Sequence, residues 1–387
     1  MIFWQIIFWF SLYLLLHTYV FYPWFLQLLS ANKKEQINPV PDEDLPALTV
    51  LMSVYNEEEI IEEKIASLLG SNYPKDKLNI LIGSDASTDR TNDLLKRKAA
   101  GEKALKVLIY EERKGKPFVI NKLVEESSTG LLVLTDAKVL FHKDTLRNLA
   151  GHFKDSDIGA VGGNILNNKV GKDGVSIQEK AFMSREILMK YREGLIWGAT
   201  VGVYGAVYAI RKELFSPVPA GFSVDDFFIS MNVLRQKKKV ILDMNALTYE
   251  DVPNKISEEY RRKVRIAAGN FSNLRYFWKE LFPPWKGASF AYVSHKVLRW
   301  LGPFLLAFIL LSNILLYNTH QLYNYSLFIQ LGAYLLPILD YFLSKIGIHI
   351  VFLRFVRHFI TMNIALFHGL INKIQGINRD VWQPTKR

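Results

Sequence analysis

The sequence predicts an α/β domain with a mostly parallel sheet, set between apolar segments long enough to cross a membrane. Three observations carry this. Strand-like and helix-like segments alternate from Ala47 to Gly162, uncharged blocks lie toward both ends, and charges fill the stretch between them.

The elements follow in order. Ala47–Val54 is a short apolar run behind Pro46, which suits a buried strand. Over 57–69, Ile60, Ile61, Ile65, Leu68 and Leu69 recur at helical spacing, with Gly70 in place to end the helix. Strands are expected over 78–83, 106–110, 131–135 and 158–162, with helices over 88–99 and 117–126. This rhythm implies parallel strands with helices on both faces. Sheets of this kind bind ligands at the carboxyl ends of their strands. That rule selects Tyr55, Asn56 and Glu57, then Asp85, then Thr135 and Asp136. No Gly-x-Gly-x-x-Gly follows the first strand, and no Gly-Lys-Ser/Thr loop is present.

The flanking blocks read as membrane segments. No Asp, Glu, Lys or Arg occurs from Met1 to Asn32 or from Trp300 to Leu339. The first block has no basic start and no small-residue cleavage site, so it reads as a retained anchor. Lys33 and Lys34 follow it, which puts the middle domain on the cytoplasmic side. The second block divides at 318–325 into a hairpin of two spans. The stretch 346–371 is interrupted by Arg354 and Arg357, and two readings stand: a re-entrant or interfacial segment, or a further span. The resulting layout is an anchor at 1–30, a cytoplasmic domain at 45–255 and an amphipathic interfacial segment at 256–290. A membrane region at 296–372 and a basic tail at 373–387 complete it. The expected location is the inner (plasma) membrane, crossed more than once.

The net charge of +11 invites a nucleic-acid reading, but many of the basic residues flank membrane segments, where anionic lipid accounts for them. Membrane lipid, not nucleic acid, is therefore an expected partner. There is no cysteine, which excludes disulfides and thiolate chemistry.

Several acidic residues stand where strands end. In Ser84–Asp89, Ser87 or Thr88 suits a helix cap with Asp89 in the first turn, and Asp85 is left to face a ligand. Asp136 ends an apolar strand, where a carboxylate meets water, caps the next element or holds a cation. Mg²⁺ or Mn²⁺ bound by one or two carboxylates and substrate phosphates is the functional alternative. Asp225 and Asp226 open a helix, favoured there by its dipole; one of them, raised in pKa by its neighbour, suits proton abstraction. Lys114-Gly115-Lys116 is a basic turn able to reach phosphates. Arg262 and Arg265 lie in a basic, aromatic stretch, facing either lipid phosphate or a substrate diphosphate.

From Pro46 to Asn273 the chain resembles the membrane-bound members of glycosyltransferase family 2, the group of cellulose, hyaluronan and poly-N-acetylglucosamine synthases. Ser53–Glu57 is similar to the first-strand motif that contacts the nucleoside, and Ser84–Asp89 to Asp-Asp-Gly-Ser-x-Asp. Lys114-Gly115-Lys116 with Asn121 resembles the lysine-glycine segment near the donor phosphates. Thr135–Lys138 sits where the family has Asp-x-Asp, with Lys138 in the third position. Gly205–Arg211 resembles the acceptor-side segment, and Asp225-Asp226 the acidic pair. Arg262–Ile266 falls at Gln-x-x-Arg-Trp, matching only at Arg265.

The resemblance implies a GT-A-like fold, a nucleotide-diphospho-sugar donor and a saccharide or lipid-linked acceptor. It implies Asp226 as general base and Asp136 as ligand of Mg²⁺ or Mn²⁺. Tyr55, Glu57, Asp85, Lys116, Lys138, Asp225, Arg262 and Arg265 are the implied substrate contacts. The implied reaction is inverting sugar transfer in polysaccharide or glycolipid synthesis. Two alternatives stand beside it: an enzyme adding one sugar to polyprenyl phosphate, and a non-catalytic transport subunit. Ionisable residues inside the spans, which a transporter needs, reduce in the hairpin to Asp340.

Overall fold

The computed structural model describes residues 1–33, 40–167, 176–251 and 256–376. The chain divides into two compact units, one of Met1–Leu28, Val170–Met183 and Pro253–Asn378, the other of Leu29–Lys169, Ser184–Val252 and Arg379–Arg387.

The second unit is built on a sheet of eight strands among the described residues: β1 Leu48–Val54, β2 Leu78–Asp85, β3 Leu105–Tyr110, β4 Leu131–Thr135, β5 Leu140–Phe141, β6 Ile158–Asn167, β7 Val207–Arg211 and β8 Lys239–Glu250. Their order is β3-β2-β1-β4-β7-β6-β8-β5. The β1–β2, β1–β4 and β2–β3 pairs are parallel, as alternation with helices demands. β4 is wholly buried, and β1 has a single partly exposed residue, Ser53. Both read as uninterrupted apolar runs because helices cover both faces.

The other half departs from the expected parallel sheet. β7 inserts antiparallel between β4 and β6, β6 and β8 run parallel, and the short β5 pairs antiparallel with β8. Helix Ser176–Trp197 lies between β6 and β7 in the chain, yet the two strands pair antiparallel, so the alternation rule does not reach this region.

Two expected helix starts move inward. The first helix begins at Ile61, not 57, because 55–60 forms a turn tied to the next loop: Asn56 N donates to Ser87 Oγ (3.1 Å), Glu57 N to Thr91 Oγ1 (2.9 Å) and Glu58 N to Asp89 Oδ2 (3.2 Å). The second begins at Thr91, with Arg90 and not Ser87 or Thr88 in the N-cap position. Asp89 Oδ1 accepts from Thr91 N (3.0 Å), so Asp89 itself serves the helix start.

In the first unit, two helices among the described residues are long and apolar enough to cross a membrane, Ile2–Ser30 and Gln321–Lys345. A bent pair, Gly287–Trp300 and Gly302–Leu315 at 63°, makes up to three. The bend falls just before Pro303, which takes the first turn of the second half. Gln321–Tyr325, expected in the hairpin turn, is already helical. The polar Asn313 is buried and donates to Ser326 Oγ (3.1 Å) and Gln330 Oε1 (3.0 Å), fastening the two arms to each other. Phe8 of the first helix packs on Ile309, Leu316 and Tyr323, while Phe3, Ile6 and Phe10 are exposed.

The 346–371 stretch lies largely in one helix, Val351–Ile374. Its Arg357 Nη1 sits 2.7 Å from the buried Asp340 Oδ2. Helix Ile256–Tyr276 is amphipathic, and the aromatics after it, Trp278, Phe282 and Trp285, are exposed. Lys34, Arg379, Lys386 and Arg387 lie outside the described residues.

Candidate active site

The carboxyl ends of β1, β2 and β4 and the start of helix Asp225–Arg235 bring together most of the residues the sequence singles out. Asp136 follows directly on β4. Lys116 opens helix Lys116–Glu126 behind Gly115, whose φ of 86° lies in the left-handed region that favours glycine. Lys116 Nζ is 2.9 Å from Asp136 Oδ1 and 3.2 Å from Asp225 Oδ2. Burial opposes the lysine's charge, but Asp136, Asp225 and Asp226 outweigh it and raise its pKa.

Asp226 lies beside this cluster. Its Oδ2 accepts from Gly205 N (2.7 Å) and its Oδ1 from Phe227 N (2.8 Å). Burial raises its pKa and Asp225 adds to the rise, while Lys116 and Lys190 pull it down. Gly205 stands between the acids: a Cβ there would lie 3.3 Å from Asp226 Oδ2 and 3.7 Å from Asp136 Oδ2. The hydroxyl of Tyr208 on β7 is buried with no hydrogen-bond partner among the described residues. Burial and the charges of Asp225, Asp226 and Asp136 push its pKa up.

Asp85 is not left facing open space, as its place before the cap suggests. Its carboxylate accepts from Lys114 N (2.8 Å) and Gly115 N (2.9 Å), so it fixes the basic turn. Arg113 lies 4.0 Å from Asp85 and stacks 3.6 Å over the Tyr55 ring. Lys138 Nζ is 3.7 Å from Oε2 of the buried Glu57. Asn121 pins the backbone of Val218 from both sides, at 2.9 Å each. Arg262 belongs to the other unit: its guanidinium donates to Glu259 and Glu179. Arg265 lies on the same helix, half-buried.

Two lysines escaped the sequence reading. Lys64 is fully buried, donates to Thr135 Oγ1 (2.9 Å) and Val139 O, and lies 4.1 Å over the Phe141 ring. It therefore grips both ends of the turn that carries Asp136 and Lys138. Burial lowers its pKa, against the opposing pull of Asp136 and Glu250. A lysine on the stripe of Ile61, Ile65 and Leu68 was the available signal. Lys190, buried and 3.5 Å over the Tyr204 ring, gave none.

The donor set fits a hard cation that shares its shell with substrate phosphates. Asp136 and Asp225 face one point, and the buried Tyr208 hydroxyl lies in their field. Among the described residues no three His, Asp or Glu side chains are placed to hold a metal ion together, in keeping with Lys138 at the third position.

Residues 49–218 match the glycosyl transferase family 2 model. The chain is 24% identical over 245 residues to poly-beta-1,6-N-acetyl-D-glucosamine synthase of Staphylococcus aureus, covering 62% of this chain and 58% of that one. It is 28% identical over 121 residues to glycosyltransferase AglE of Haloferax volcanii, covering 31% and 40%. The chain thus spans little more than half the length of the first relative and less of the second. A mannosyltransferase of Pyrobaculum calidifontis, solved with GDP-Man and Mn²⁺, superposes with a TM-score of 0.71 at 21% identity, over 95% of this chain and 98% of that one. That likeness is one of fold. Residues 49–218 thus match a family 2 glycosyltransferase domain, and the fold that carries them is GT-A-like.

Proposed function

We propose that the protein transfers a sugar, with inversion, from a nucleotide-diphospho-sugar to a saccharide or lipid-linked acceptor at the cytoplasmic face of the plasma membrane. The observation that carries this reading is Asp226, held by Gly205 N beside the Asp136–Lys116–Asp225 cluster. Asp226 takes the proton of the acceptor hydroxyl. The freed oxygen bonds to the anomeric carbon as the bond from that carbon to the diphosphate breaks, and the electron pair leaves on the phosphate. Burial and Asp225 raise the basicity of Asp226, which suits a group that must accept a proton near neutral pH.

Tyr55, Glu57 and Asp85 are assigned to the nucleoside side, with Asp85 acting through the turn it fixes. Lys116 and Lys138 meet phosphate charge, and Asp225 and Asp136 lie beneath it. Asp136, with Asp225 beside it, would hold a Mg²⁺ or Mn²⁺, which would neutralise charge on the diphosphate leaving group. The relation to a poly-N-acetylglucosamine synthase supports a saccharide acceptor. Ile266 in place of an aromatic platform favours short or single additions over long polymer. The apolar helices Ile2–Ser30 and Gln321–Lys345 support a protein that crosses the membrane more than once.

Purified protein in lipid, given a panel of nucleotide-sugars and acceptors, should release nucleoside diphosphate with one sugar and form a product of inverted anomeric configuration. A retained configuration would remove the single-displacement mechanism. Radiolabelled chains of many sugars kept through a pulse and chase would remove the preference for short additions.

A further inference from the structure

The cation place of the donor site is held by the protein itself. Asp136 and Asp225 come from different elements, yet one oxygen of each meets the same ammonium, Lys116 Nζ, at 2.9 and 3.2 Å. Asp226 adds a third negative charge close by, on the far side of Gly205. Three carboxylates so placed repel one another unless a cation stands among them. Two carboxylate oxygens around one point are also what a hard divalent ion uses before phosphate oxygens complete its shell. An ammonium and a divalent ion cannot share that point.

Lys116 is able to yield it. The residue sits at the first position of its helix, behind Gly115, on a side chain of four methylenes that is partly exposed. A nucleoside diphosphate brings phosphate oxygens that can receive the displaced ammonium. Resting on the donor-site reading above, we infer that Lys116 is an internal counter-ion of the unloaded site, displaced from Asp136 and Asp225 onto phosphate when a divalent cation binds together with the nucleoside diphosphate. Metal binding without nucleotide is then weak, because it must evict Lys116 with nothing to receive it. Metal and nucleotide each strengthen the other by the same factor.

The test is Mn²⁺ binding to the full chain in lipid nanodiscs, read from the electron paramagnetic resonance signal of free Mn²⁺. It is run without nucleotide and with GDP or UDP. Lys116→Gln should bind Mn²⁺ alone about tenfold tighter than wild type or more, and should gain less from nucleotide. Lys116→Arg, which keeps the charge, should stay weak and serves as the folded comparison. Adding Asp136→Asn to Lys116→Gln should remove the gain. If Lys116→Gln binds Mn²⁺ alone no better than wild type, while wild type binds it with nucleotide, the counter-ion role is wrong and the metal reading stands. If no form binds Mn²⁺ with or without nucleotide, the metal reading falls and the inference falls with it.

Discussion

The two units each contain a cluster of acids and cations, and the clusters are built on opposite principles. In the first unit, the buried Glu179 and Glu259 meet Arg262 and Lys263. Two negative charges face two positive ones at 2.8 to 3.2 Å, and every carboxylate has a cation. Burial alone would push Glu259 up, but Lys263 and Arg262 outweigh it and hold it at about 2. In the second unit, three acids gather around Lys116, with Lys190 as a further positive influence, and the pKa of Asp226 is raised. The balanced cluster has the electrostatics of a fastening. The unbalanced one keeps a carboxylate in a costly state, which is what acid–base chemistry needs.

Asp226→Asn tests the contrast most severely. Loss of a general base should lower turnover by about 10²–10⁴-fold, with nucleoside diphosphate binding within about threefold of wild type. Its effect on stability should have the opposite sign to that of a structural acid. A folded pKa above the unfolded one means the folded state binds the proton more tightly, so stability falls as pH rises from the ordinary carboxylate range through the raised value. Above that window the ionised Asp226 costs stability, and the amide removes the cost. The melting temperature at neutral pH should therefore hold or rise. A variant with near-normal turnover would end the assignment of Asp226.

Glu259→Gln is the counterpart. Removing one carboxylate leaves Arg262 and Lys263 sharing Glu179, and the loss should be about 3–5 kcal/mol in denaturant unfolding. Here the folded pKa is depressed. The contribution is complete above the unfolded value and is lost as pH falls toward about 2. Unfolding curves for wild type and variant should converge on acidification; curves that stay parallel would break the comparison.

Much of the first half of the sheet was legible because each strand carries its own signal. β4 coincides with the expected span, and β1, β2 and β3 differ from theirs by one or two residues, since buried parallel strands are continuous apolar runs. β7 and β8 were not read as strands. Their place depends on pairing with distant partners, which no local periodicity records. The site divides the same way. Asp85, Asp136 and Asp226 follow from position in the chain, whereas the reach of Lys116 to both Asp136 and Asp225 exists only in three dimensions. Lys64 lay in view as a polar residue on an apolar stripe.

Lys64→Met sharpens the comparison from the side of the unbalanced cluster. The amine holds Thr135 Oγ1 and Val139 O, and Met fills the space without the hydrogen bonds. Thr135 still donates to Ala206 O at 2.7 Å, so the strand end persists while the turn beyond it loosens. The Michaelis constant for the donor should rise by about tenfold, the cost of one to two hydrogen bonds transmitted to Asp136 and Lys138. The constant for the acceptor should not move, and Lys64→Arg should restore part of the loss. A uniform change in both constants would make Lys64 a core residue only.

Lys190→Met acts on the same base through the charge it removes. Lys190 lowers the pKa of Asp226, so its removal should move the acid limb of the rate–pH profile to higher pH. The high-pH plateau should keep most of its rate. A limb that stays in place would remove Lys190 from the electrostatics of the site.

The smallest effect concerns backbone strain. The turns after β1 and β2 each hold one residue in the left-handed region, Asn56 at φ 51° and Ala86 at φ 58°. Asn tolerates this conformation and here also uses it: Oδ1 accepts from Thr88 N (2.8 Å) and Nδ2 donates to Thr88 Oγ1 (3.2 Å), joining the two turns. Ala86 has no such return. Its methyl meets the backbone at a cost of about 1–2 kcal/mol, and it stands where the family pattern has glycine. Glycine removes that cost but gives the unfolded chain more freedom, which takes back about 0.4–1 kcal/mol. Ala86→Gly should therefore stabilise the protein by about 0.5 kcal/mol, read as a rise of a degree or two in melting temperature. Turnover should be unchanged if the turn serves only to carry Asp85 to the Lys114–Gly115 backbone. A gain in stability together with a loss of turnover would mean that the strained turn holds Asp85 in a position that glycine does not keep.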